Sequence, residues 1–173
     1  VSRTLEFAYH DWGLAQVAQA AGDMPEMMRL RQRADSWRNL LDDESGFFRA
    51  RDEGGAYGSL AEFDPTTHFD RGGSDYTEGS AWHWRFYVPH DPLGLAEAVG
   101  KDRFAEALAT YFAESDMGDG NIARNILPDE FYWHGNQPPL HTVYMFHAVD
   151  DYDALAGWVD RIRVAHYDGT PAG

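Results

Sequence analysis

The sequence predicts an all-α protein built from helices joined by long and short loops. Two observations predict it. Apolar residues recur at helical spacing through most of its 173 residues. Between those stretches, glycine, proline and acidic residues stand where helices stop and start.

Leu5, Ala8, Tyr9, Trp12 and Ala15 line one face of a first helix, which Gly22 stops. Pro25 sits near the start of a second. Met27, Leu30, Ala34, Trp37 and Leu41 form its apolar stripe, and it is expected to end in Asp42-Asp43-Glu44-Ser45-Gly46. Residues 46–77 mix glycine, charged and aromatic residues without a helical period, with room for a short strand or two over Phe47 to Arg51. A loop of that length inside a domain is usually functional. Helical pattern resumes from about Glu78 to Tyr87. Asp91-Pro92 then opens a short helix, Asp as N-cap and Pro in the first turn, and Gly100 closes it. Phe104, Leu108, Tyr111 and Phe112 mark the next helix. Residues 115–138 form a second long loop, Pro139 opens a helix to about Ala148, and Tyr152 to about Ala165 makes the last. There is no repeat and no low-complexity tract. This order suits a toroid of helical hairpins whose loop ends gather at one site, and it suits a plain helical bundle equally well.

Composition narrows the function. The chain is 43% hydrophobic and 14% aromatic, which separates it from disordered chains despite a net charge of −15. An acidic balance argues against nucleic acid, because phosphate binding relies on Lys and Arg. No stretch of about 18 apolar residues exists to span a membrane. The absence of cysteine removes disulfides, a thiol nucleophile and a zinc–thiolate site. The many aromatic rings build a core, and ring faces also floor sugar sites by meeting C–H groups. Val1 is not a natural start, so the lack of a leader segment says nothing of destination.

Two constellations could carry chemistry. In Thr77-Glu78-Gly79-Ser80-Ala81-Trp82, a carboxylate stands at the mouth of a helix, flanked by Trp82 and Trp84. Apolar walls raise a carboxyl pKa, which a general acid near neutrality requires. The plain alternative is a Glu in the first helical turn, favoured by the helix dipole. In His134-Gly135-Asn136-Gln137-Pro138, two amide oxygens and free carbonyls suit a hard cation such as calcium, and the imidazole could bond a substrate hydroxyl. The plain alternative is an Asn turn before a proline. The eight histidines (10, 68, 83, 90, 134, 141, 147 and 166) contain no HExxH. The acidic runs at 42–44 and 150–153 lack EF-hand spacing, and read as solvated helix ends. No phosphate loop, dinucleotide fingerprint or GxSxG is present.

Taken in order, these segments resemble one family. Ser2-Arg3-Thr4-Leu5-Glu6-Phe7-Ala8-Tyr9-His10-Asp11-Trp12 is similar to the S-x-T-L-E-Y-A-Y-D-D-W helix of glycoside hydrolase family 92, the bacterial exo-α-mannosidases. Gly46-Phe47-Phe48-Arg49-Ala50-Arg51 resembles its G-F-M-R-x-R turn, and Phe63-Asp64-Pro65 its F-D-P. Thr77 to Trp82 resembles T-E-G-N-A-W, Val88-Pro89-His90-Asp91 resembles V-P-H-D, and His134 to Pro138 resembles H-G-N-E-P.

The resemblance implies part of an (α/α)6 barrel with long loops at its active-site end. It implies release of terminal α-linked mannose from glycans with inversion, of an α-1,2 type, assisted by calcium, in a secreted or periplasmic enzyme. Glu78 would be the general acid. His134 and Trp82 would lie against the substrate, and Asn136 and Gln137 would help place calcium, the ion that grips sugar hydroxyls and flattens the ring. Residues 1–173 would be a partial catalytic barrel domain; the preceding β-sandwich, the rest of the barrel and a G-N-D-D-x-G segment bearing the general base would lie outside it. The chain alone is then expected to be inactive, with the remaining parts of its own catalytic domain as partners.

Departures bear on this reading. Ser80 replaces the family's Asn, His83 its Gln, and Gln137 its Glu, a weaker calcium ligand. Pro139-Leu140-His141 replaces S-H-H. A non-catalytic carbohydrate-binding module derived from such an enzyme is the alternative.

Overall fold

The structure, a computed structural model, describes residues 1–67, 75–115 and 129–169. His68, most of the 115–138 loop and Pro171-Ala172-Gly173 lie outside the described residues.

Helix α1 spans Ser2–Ala20 and buries Ser2, Leu5, Ala8, Asp11, Ala15 and Ala18. The expected stripe is therefore rotated: Tyr9 and Trp12 flank the buried face and stay partly exposed. Gly22, at φ +79°, turns the chain back. Asp23 then caps α2 (Met24–Ala34), its carboxylate accepting the Glu26 N–H at 3.1 Å with Pro25 in the first turn. The two helices pack as an antiparallel hairpin, and Arg33 reaches Asp11 across it at 2.8 Å.

The stripe read as one helix from Met27 to Leu41 divides into three. After α2 the chain tightens to a 3₁₀ turn over Asp35–Asn39 and then extends as β1 (Leu41–Asp42). β1 pairs antiparallel with β2 (Phe47–Phe48) in the register Leu41↔Phe48 and Asp42↔Phe47. All five stripe residues are still buried, Met27 and Leu30 against Ala15 and Ala18 of α1, and Trp37 and Leu41 in the main core. Between the strands, Asp42 to Gly46 is a turn rather than a helix end. Gly46 takes φ +72°, and Arg103 lies against it, donating to the Asp43 and Glu44 carbonyls at 2.6 Å each.

The helix expected from Glu78 to Tyr87 is only four residues long: α3, Ala81–Trp84. Asp91 caps α4 (Pro92–Val99), accepting the Gly94 N–H at 3.0 Å, and Gly100 (φ +90°) separates it from α5 (Lys101–Ala113). The segment after Pro139 is a 3₁₀ helix over Thr142–Val149, tighter than the expected α-helix. Asp150 at φ +59° ends it, and Asp151 caps α6 (Tyr152–His166).

Aromatic rings join these elements. Trp37 meets Phe48 edge-on at 6.2 Å, Phe86 meets Phe104 at 5.4 Å, and Phe112 stacks on Trp158 at 5.2 Å. Each such side chain buried contributes roughly 1.5–3 kcal/mol. The described structure is helical, with one short hairpin. Among the described residues no helix is long and apolar enough to cross a membrane.

Candidate active site

Two loops remote in sequence meet at Glu78. Its backbone is left-handed, with φ +52°, an uncommon state for a side-chain-bearing residue. It stands two residues before the Ser80 N-cap, so it precedes α3 rather than occupying the first helical turn. Neighbours hold this backbone from several sides. The Asn136 amide donates to the Glu78 carbonyl at 2.5 Å, and the Trp84 indole N–H donates to the Thr77 carbonyl at 2.9 Å. The Thr77 N–H donates to the Ser2 hydroxyl at 3.1 Å, which ties the loop to the start of α1. The Glu78 side chain is exposed, so the flanking tryptophans do not wall it in. The result is a fixed backbone presenting a free carboxylate.

Ser80 and His83, both departures from the family pattern, are bonded to each other. The Ser80 N–H donates to His83 Nδ1 at 2.9 Å, and the His83 N–H to the Ser80 hydroxyl at 3.4 Å. The two bonds form a reciprocal cap at the start of α3, with His83 in the third helical position. Both residues are fully buried. Gly79 fits beneath it: a Cβ there would lie 2.8 Å from His83 Nδ1.

Trp82 turns into the core with 9% of its surface exposed. Phe47 meets it edge-on at 5.0 Å, Tyr111 stacks on it at 6.1 Å, and the Arg85 guanidinium lies 4.7 Å from its ring centre. With both faces covered, it supports the loop from behind rather than offering a platform to a sugar. Burial, reinforced by Arg103, brings the Arg85 pKa down to about 10, so it remains charged at neutral pH.

Asn136 is buried, at 4% exposure, and Gln137 is exposed. The Asn136 orientation is unambiguous, since only its NH₂ can donate to the Glu78 carbonyl. Its Oδ1 is thereby directed away as a hard oxygen, and the Gln137 amide is a second. Such donors fit calcium in kind, but calcium takes about 6–8 oxygens. Among the described residues no group of three His, Asp or Glu side chains could complete a metal site.

His134 lies beside a cleft of about 270 Å³ lined in part by Tyr132, Leu140, Tyr144, Arg163 and Tyr167. Burial, and then the neighbouring His166, lower its pKa to about 4. A second cleft, of about 370 Å³, lies where the Gly46–Arg51 turn meets Phe63-Asp64, with Asp75 and Tyr76 on its wall. Arg49 is there 4.7 Å from the Phe63 ring centre.

The family model of the glycosyl hydrolase family 92 catalytic domain matches residues 1–173. The chain belongs to glycosyl hydrolase family 92.

Solved family 92 structures share its fold. An α-mannosidase from Bacteroides thetaiotaomicron in complex with mannoimidazole superposes with a TM-score of 0.82 at 29% identity, covering 96% of this chain and 22% of that one. An inverting mannosidase from the same species gives 0.66 at 33% identity, covering 83% of this chain and 20% of that one. A secreted glycosidase of Arthroderma benhamiae is 25% identical across 85% of this chain and 19% of its own length. This family 92 chain thus spans about a fifth of each relative, and corresponds to a helical portion of these enzymes.

Of the residues the sequence singled out, the structure brings Glu78 and Asn136 together, with Trp82 behind them. Gln137 and His134 share the second loop. Sequence reasoning did not single out Tyr132 and Tyr167, counted His166 only among the eight histidines, and quoted Ser2 only within a motif. Tyr132 stands in a Phe-Tyr-Trp-His run that could have drawn notice, whereas Tyr167 is 33 residues from His134.

Proposed function

We propose that this chain carries the acid-bearing part of an exo-acting α-mannosidase, which releases terminal α-linked mannose, of α-1,2 type, from mannose-containing glycans with inversion. The observation that supports it best is the bond from Asn136 to the Glu78 carbonyl, which joins two family motifs around one carboxylate.

In this reading Glu78 protonates the departing glycosidic oxygen. Its fixed backbone and free side chain suit that task, because proton transfer requires reach of about 3 Å to the leaving atom. An inverting glycosidase needs a second carboxylate roughly 6.5–9.5 Å away with water between. That base belongs to a polypeptide of the relatives' length, outside residues 1–173. His134, neutral above about pH 4, meets a sugar hydroxyl. Trp82, which the resemblance would place against the substrate, holds the loop from behind instead. Asn136 Oδ1 and the Gln137 amide would contribute two oxygens to calcium. Calcium, when bound, supplies a Lewis acid that grips sugar hydroxyls and favours ring flattening. Secretion or periplasmic export fits both the family resemblance and the secreted fungal relative.

The test is mannose release from α-mannobiosides by the full-length protein. Glu78→Gln is expected to cut the rate by about 10²–10⁴-fold, and a calcium chelator to abolish release. One observation favours a sugar-binding module instead: neutral Gln137 stands where the family has Glu. A folded full-length protein that binds mannosides and releases nothing from any linkage would establish that second reading.

A further inference from the structure

Both ring nitrogens of His134 are taken by tyrosines. Tyr132 Oη lies 2.6 Å from Nδ1, and Tyr167 Oη lies 2.7 Å from Nε2. His166 stacks on the ring at 4.5 Å between centres and 17° between planes. A ring so held has no spare nitrogen for a substrate. The two tyrosines are not equivalent, however. Tyr132 is 3% exposed, and its ring packs on Phe112 and Tyr111. Tyr167 lies just beyond the C-terminus of α6 and is 56% exposed.

A buried hydroxyl that leaves its proton unbonded is penalised by about 1–3 kcal/mol. His134 Nδ1 is the one hydrogen-bond partner of the Tyr132 hydroxyl among the described residues, so that hydroxyl must donate to it. A neutral imidazole accepting at Nδ1 carries its proton on Nε2. Nε2–H then donates to the Tyr167 oxygen.

Resting on the reading that His134 meets substrate, we propose that Tyr132 is a positioning residue that fixes His134 as the Nε2–H tautomer, and that the Tyr167 hydroxyl occupies the place of a sugar hydroxyl that displaces it. The two oxygens are chemically alike: each is a hydroxyl accepting from Nε2–H. The exposed tyrosine can swing out on its own side-chain torsions, whereas the buried one cannot. The bond from the buried Tyr132 hydroxyl holds the ring in the Nε2–H tautomer.

The two hydroxyls predict opposite effects from the same chemical change. In the full-length protein, Tyr167→Phe removes the competitor and is expected to lower KM for an α-mannobioside about threefold or more, with kcat little changed. Tyr132→Phe frees the tautomer and is expected to raise KM by a similar factor. Nitrogen-15 spectra of labelled histidine should show His134 as Nε2–H in the parent and as a tautomer mixture in Tyr132→Phe. An Nδ1–H ring in the parent, or KM moving the same way in both variants, overturns the proposal. His134→Ala separates the two ideas. If it leaves KM unchanged, the role of His134 in substrate binding falls and this inference falls with it. If it raises KM while the tyrosine variants shift together, only this inference fails.

Discussion

Gly79 shows how a single residue fixes the candidate acid. A Cβ at 79 would meet the His83 ring, which is fully buried and bonded to Ser80. That ring cannot swing aside, so Gly79→Ala must push the loop or break the cap. Overpacking of this kind costs about 1–3 kcal/mol. Gly79→Ala in the full-length protein is expected to lower the unfolding midpoint and to reduce mannose release, since Glu78 adjoins the displaced residue. An unchanged midpoint and rate would show that the loop absorbs the methyl group. Local sequence revealed Glu78 as a carboxylate near a helix mouth. It did not reveal the left-handed backbone, which distant partners help hold: Asn136 donates to the Glu78 carbonyl and Ser2 accepts from the Thr77 N–H.

Among elements, the β1–β2 hairpin depends on one buried ion pair. Arg49 donates to Asp42 at 2.7 Å with both side chains under one-tenth exposed, and it also donates to the Gly58 carbonyl. Breaking a buried pair leaves a bare charge and costs about 3–5 kcal/mol. Arg49→Ala is therefore expected to destabilise the domain by about that amount in a denaturant titration. Arg163→Ala, whose partner Asp160 is equally exposed, should cost under about 1 kcal/mol. Burial alone would raise the Asp42 pKa, but bonds from Ser45, Arg49 and the Glu44 N–H together hold it below the ordinary range. The folded pKa thus lies under the unfolded value of about 4. Its stabilisation is complete above that pH and is lost as pH falls through the folded pKa. Asp42→Asn should flatten that acid limb of the stability curve; an unaltered limb would place the titrating group elsewhere.

At the scale of the whole molecule, apolar side chains remain on the outside of the first two helices and the last. Phe7, Leu14 and Val17 on α1, Met28 on α2 and Val164 on α6 are each more than half exposed. Exposed apolar side chains of this size favour association where they cluster. A preparation of these 173 residues alone is expected to elute above 19.6 kDa on gel filtration and to release no mannose. A monomer that cleaved mannosides would refute the division of the acid and base between this segment and the rest of a longer protein.

The sequence by itself determined the helical class, the cap at Asp91 and the family, while the caps at Asp23 and Asp151 came from the structure. Periodicity, capping and ordered motifs are local, and local signals survive without coordinates. Tertiary structure alone decided where the stripe from Met27 to Leu41 breaks into helix, 3₁₀ turn and strand, because its first part packs on α1 and its last part pairs with β2 in the main core. It alone decided that Trp82 faces inward, that Asn136 clasps Glu78, and that Tyr167 reaches His134. The last two are contacts between residues 58 and 33 positions apart. No window on the sequence spans them, and packing and hydrogen-bond satisfaction in the folded chain select them.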